Sequence, residues 1–92
     1  MDEKLEKKLG KYFTNAKILF DGVELCPAKD FDARKAQEKI VDMAERYYQD
    51  ARHFMEKGEH VNALAALEYA EGWLDAGRYT GLIKSKKPLD DI

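Results

Sequence analysis

Arg46, Asp50 and His53 are the residues whose types and spacing come nearest to a chemical site. On a helix, seven residues separate Arg46 from His53 by about 20°, with Asp50 beside them on the same flank. A histidine there could take and return a proton near neutral pH, and an arginine could hold a phosphate through paired hydrogen bonds. Those two roles are what a nucleic-acid-binding or RNA-cleaving site requires. The same residues also describe a solvated flank, with an Arg–Asp pair four apart beside an exposed histidine, worth a few tenths of a kcal/mol. The solvated flank is the expectation, and no catalytic residue is assigned.

Other candidates read similarly. His53 and His60 bracket a turn with Glu56 and Glu59 nearby, but the only cysteine is the distant Cys26. Neither ligand type nor spacing matches a standard metal site, so no metal and no cofactor are expected. Tyr69 and Trp73 lie one helical turn apart and could form an aromatic platform for a ligand or partner peptide. Their place beside an alanine stripe instead predicts core and core border. Glu68, Glu71 and Asp75 form an acidic ridge on an outer helix face. Asp75 falls in the last turn, where the helix dipole disfavours an anion. Pairing with Arg78 is the simple explanation, and a basic partner is the functional one.

The elements that position these residues follow from apolar spacing. A first helix is predicted over about residues 2–21, because Leu5, Leu9, Tyr12, Ala16 and Leu19 recur at alternating steps of four and three. A connection over residues 22–29 contains Gly22 and Pro27, and Asp30 or Asp32 can cap the next helix. With Asp32 as the cap, Phe31 and Ala36 would form a hydrophobic staple. The second helix should span about residues 30–57, with Ala33, Ala36, Ile40, Ala44, Tyr47 and Ala51 facing inward. Gly58 is its expected C-terminal cap, and the short turn demands an antiparallel neighbour. The third helix should span about residues 60–76, with Ala63, Ala66, Leu67, Ala70, Trp73 and Leu74 inside and Gly77 as its stop. Ala51 should then meet Ala66 or Leu67, and Tyr47 should meet Ala70 and Trp73. Gly72 falls off that inner stripe, which close approach by another segment or chain would explain. The apolar run Tyr79–Ile83 could pack on the bundle. Residues 1–83 are read as one domain and 84–92 as a flexible tail.

Composition bounds the function. Ninety-two residues with 45% apolar and 37% charged content suit one small domain with well-solvated helix faces. A net charge of −2 offers no general attraction to nucleic acid or anionic membrane. Residues 78–87 carry Arg78, Lys84, Lys86 and Lys87 without an acid, a thin footprint for phosphate beside an acidic helix. The charged, periodic start does not read as a signal peptide, and no run reaches the roughly 20 apolar residues of a membrane span. With one cysteine, a soluble cytoplasmic protein is expected. Abundant Lys and Glu with few Gln and Asn fit a heat-adapted source and a thermostable chain.

The stretch from Tyr47 to Gly77, with Asp50-Ala51, Phe54, Gly58, Ala63 and the run from Tyr69 to Gly77, resembles an archaeal family of short uncharacterised helical proteins, domain of unknown function 357. The resemblance implies an all-helical fold and a cytoplasmic archaeal protein, and it brings no activity, ligand or catalytic residue. Gly58, Ala63 and Ala70, with Ala51 and Phe54, are also similar to a single tetratricopeptide helix pair, present in one copy. An arginine followed after six residues by a histidine, Arg46 and His53, looks like the signature of the higher-eukaryote-and-prokaryote nucleotide-binding helical family. Tyr47 departs from that pattern at a position usually polar.

The sequence therefore predicts an all-α, antiparallel three-helix bundle built around a helix-turn-helix hairpin. The expected function is a non-catalytic protein-interaction or assembly module, and the reading leans against an enzyme. Its partner would be an unidentified protein or a second copy of the chain, touching Glu68, Glu71, Asp75, Tyr69 and Trp73. Neither nucleic acid nor membrane is the expected partner. The alternative is a nucleic-acid-binding or RNA-cleaving protein using Arg46, Asp50 and His53.

Overall fold

A computed structural model describes residues 3–85. Three helices, α1 (Glu3–Asp21), α2 (Phe31–Glu56) and α3 (His60–Tyr79), form an all-α bundle, with two short strands, β1 (Glu24–Leu25) and β2 (Ile83–Lys84), at one end. The Cα envelope is flat, 48 × 26 × 16 Å.

The α2–α3 hairpin is the frame. Asp30 caps α2, its carboxylate accepting the Ala33 N–H at 2.8 Å. With Asp30 rather than Asp32 as cap, Phe31 is not stapled: it is 71% exposed, with the Lys35 ammonium 5.3 Å from its ring centre. The helix ends where Gly58 takes φ +77°, a conformation that strains any side chain, and two amides fold back: Gly58 donates to Met55 O and Glu59 to Phe54 O. The chain then reverses into α3. Small residues let the two axes approach closely, with Ala44, Ala51, Ala63 and Ala70 all fully buried.

Two apolar clusters hold α1 to this frame. Ala16 joins Ala51, Ala66 and Leu67, with Phe13, Phe20, Tyr48 and Phe54 around them. The expected meeting of Ala51 with Ala66 and Leu67 is thus present. Leu19 joins Ile40, Ala44, Leu74 and Ile83 nearer the strands, with Trp73 packed against them. Phe13 and Phe20 both meet the Tyr48 ring, at 6.0 and 4.8 Å between centroids. Tyr12 stands beside Leu64, Leu67 and Glu71 of α3. Helix α1 therefore lies in one of the two grooves of the hairpin.

The third helix runs past Gly77, which is a packing position and not the expected stop. A Cβ there would come 2.8 Å from Ile83 Cγ1 and 3.1 Å from Ile40 Cγ2. The reversal comes later, at Gly81 with φ +77°, where Leu82 N–H returns to Gly77 O at 2.9 Å. This turn delivers Ile83, 2% exposed, into the core and pairs β2 with β1 in antiparallel register, Leu25 opposite Ile83. Gln37, 2% exposed, fastens the arrangement: its Nε2 donates to Cys26 O at 2.6 Å and to Leu82 O at 2.8 Å. Ser85 Oγ donates to Leu19 O at 2.9 Å. Lys84 and Ser85 are thus part of the fold and not of the flexible tail expected over residues 84–92, whose remainder lies outside the described residues.

Candidate functional site

An open, shallow face lies on the side of α3 away from α1. Ala65, Glu68, Tyr69, Gly72, Trp73 and Ala76 line it, all of them residues of α3. At 63% exposure Tyr69 lies outside the core, correcting the placement predicted from the helical wheel. Its ring stacks on Tyr47 of α2, 5.2 Å between centroids and 26° between planes. Tyr47 thus reaches Tyr69, one position from its expected neighbour Ala70. Trp73 is half-buried, with one side against the Leu19–Ile83 cluster. Both aromatics line the same face, one as a surface ring and the other as part of its floor.

The face extends along α3. Val61 is 72% exposed, Tyr79 is 93% exposed, and Ala65, Gly72 and Ala76 are exposed between them. From Val61 the steps to Ala65, Tyr69, Gly72 and Ala76 are four, four, three and four, which trace one helical stripe. That stripe was present in the sequence, but its small residues made it read as background to the larger inner stripe. A helix apolar on both its inner and outer sides is normally covered on both. Nothing stands within 4 Å of where a Gly72 Cβ would be, so no neighbour within the described chain explains that glycine.

The acidic ridge is less uniform than its spacing implied. Glu68 lies exposed at the open face and Glu71 is half-buried toward α1. Asp75 is exposed and pairs with Arg78, the local partner expected for it. The Arg78 Nη1 is buried without a hydrogen-bond partner among the described residues.

Arg46, Asp50 and His53 are all exposed on α2. Arg46 Nε pairs with Asp42 at 3.1 Å, one turn toward the N-terminus, and not with Asp50. The surface around Arg46 also carries Asp21, Glu45 and Asp50, an acidic setting that repels phosphate. His53 is exposed, whereas His60 is 6% exposed and turned toward α1, with Nε2 3.5 Å from Glu6 Oε1. Its Nδ1 is buried without a hydrogen-bond partner among the described residues. Among those residues no group of three or more His, Cys, Asp or Glu is arranged to hold a metal ion. None of their helices is long and apolar enough to cross a membrane.

The fold is a small three-helix bundle with an exposed, largely apolar face on α3. Residues 11–83 match the family model described as Protein of unknown function (DUF357), and the chain belongs to that family. No curated protein and no solved structure matches it.

Proposed function

We propose that this protein is a non-catalytic interaction module that binds another polypeptide through the open face of α3 beside Tyr47 of α2. The observation that carries this reading is Tyr69, 63% exposed beside Trp73 on the side that α1 leaves uncovered. Aromatic residues at the centre of an exposed apolar patch are the usual anchors of a protein interface. Groups at the patch suit contact rather than chemistry, since among the described residues Glu68 is the one ionisable side chain lining it apart from the Tyr69 phenol.

The rival reading, phosphate handling by Arg46, Asp50 and His53, is opposed by the Arg46–Asp42 pair and the acidic surroundings. A single cysteine supports a cytoplasmic setting.

The test is capture from an extract of the source cells by the immobilised chain, compared with its Gly72→Arg variant. Gly72 is exposed with open space around it, so the variant keeps the fold while placing a long charged side chain on that face. The reading expects a bound polypeptide, a copy of the chain included, that the variant releases. Equal capture by both forms, or recovery of RNA sensitive to His53→Ala, would contradict it.

A further inference from the structure

We infer that the seam between α1 and α2 is a second docking surface, and that its occupant is a basic amphipathic helix of a partner polypeptide. No residue lines both this seam and the α3 face, so the two surfaces are separate. The backbones of α1 and α2 each approach α3 more closely than they approach one another. Large rings bridge the gap: Phe13 and Phe20 reach the Tyr48 ring, at 6.0 and 4.8 Å between centroids. Bulky side chains that hold two helices apart leave a furrow above them.

That furrow is continuous, because three adjoining hollows share Phe20. Val23 and Val41 line the end nearest the strands, and Phe13, Tyr48 and Met55 line the other. All five are half-buried. From the level of Glu38 to that of Glu56 the furrow follows α2 for about 27 Å, or about five helical turns. A row of half-exposed apolar side chains between two helices is the seat an added helix takes in helix-in-groove recognition.

Charge selects the occupant. The strand end of the seam carries Asp21, Glu38, Asp42, Glu45 and Asp50, with Arg46 as the one cation among them. Arg46 is paired with Asp42 at 3.1 Å, and Asp21 with Lys17 at 3.6 Å. Glu38, Glu45 and Asp50 have no ion-pair partner among the described residues. Glu38 and Glu45 lie two turns apart on one flank of α2, with Val41 between them. Carboxylates bordering an apolar floor suit lysine or arginine, whose stems pack while their cationic tips reach the rim. The far end is balanced, Lys17 and Arg52 standing with Asp21 and Glu56, so the partner's basic residues gather at the strand end.

The probe is a synthetic 18-residue helix-forming peptide, with leucines along one stripe and lysines on its flanks, titrated into the full chain at low salt. It should bind in the micromolar range. The same composition in scrambled order, and a version with glutamate for lysine, should each bind at least about tenfold more weakly. Amide shifts on binding should fall at Phe20, Val41 and Tyr48, and not at Tyr69 and Gly72. Glu38→Lys combined with Glu45→Lys, both at exposed positions, should weaken binding roughly tenfold with an unchanged far-ultraviolet circular dichroism spectrum. Glu3→Lys with Glu68→Lys makes the same change in net charge outside the seam and should weaken it by less than about threefold. No binding, equal binding of the ordered and scrambled peptides, equal weakening by the two double variants, or shifts centred on Tyr69 would overturn the inference. The α3 face is tested separately through Gly72→Arg, so failure at the seam leaves the interaction-module reading standing.

Discussion

Gly77 lies against Ile83 so closely that a Cβ on the glycine would stand 2.8 Å from the isoleucine Cγ1. The contact joins the last full turn of α3 to the strand that returns over it, and Ile83, 2% exposed, has little room to move. Gly77→Ala should therefore lower stability by about 1–2 kcal/mol, since overpacking outweighs the gain in helix propensity. Gly10 is exposed in α1 with nothing within 4 Å of a would-be Cβ, so Gly10→Ala should raise stability by up to about 1 kcal/mol. Urea unfolding of the two variants should give shifts of opposite sign.

Gln37 is the second fixed point of that end of the molecule. Its amide donates to two carbonyls, Cys26 O and Leu82 O, from a position 2% exposed. Gln37→Leu should cost about 1–3 kcal/mol, because the bonds are lost and Cys26 O is left without its partner. Gln37→Glu should cost more, since a carboxylate would face two carbonyl oxygens. Hydrogen exchange should show the loss first at the amides of Cys26 and Leu82.

His60 joins α3 to the first half of α1. It is 6% exposed and faces Glu6 across 3.5 Å. His60→Ala should destabilise by about 1–3 kcal/mol through the cavity it leaves. His60→Leu should retain most of the stability, because it fills the space and removes a buried nitrogen that has no hydrogen-bond partner among the described residues. Thermal unfolding distinguishes the two substitutions.

Arg46 and His53 should prove dispensable. Both are exposed, and the Arg46–Asp42 pair is of the kind that contributes a few tenths of a kcal/mol. Substituting either with Ala should move stability by less than about 0.5 kcal/mol. RNA mixed with the chain at low salt, where phosphate contacts are strongest, should remain unbound and uncut. Salt-sensitive binding lost with His53→Ala would revive the nucleic-acid reading.

These residues also show what was legible in the sequence. The three helices and the Gly58 reversal follow from apolar periodicity and the need for a left-handed cap, both local properties. Gly77 was misread because a glycine near a helix end serves equally as a cap or as space for a neighbour. That neighbour, Ile83, becomes visible only when the chain has turned back at Gly81. Gln37 falls on the inner stripe with Ile40 and Ala44, so its burial was signalled, but its carbonyl partners lie 11 and 45 residues away. Tyr69 was placed at the core border because a hairpin has two grooves and periodicity does not say which one α1 fills. With α1 on the Tyr48 side, Tyr47 and Tyr69 are left on the open one.

The most direct test of the interaction face is photo-crosslinking from position 69 itself. Tyr69 replaced by a benzoylphenylalanine should, on irradiation in extract of the source cells, attach to a polypeptide, and Gly72→Arg should abolish the adduct. A control probe at Asp32, exposed in the first turn of α2, should yield none. If position 69 yields no more adduct than position 32, the α3 face is not a binding surface and the account is wrong.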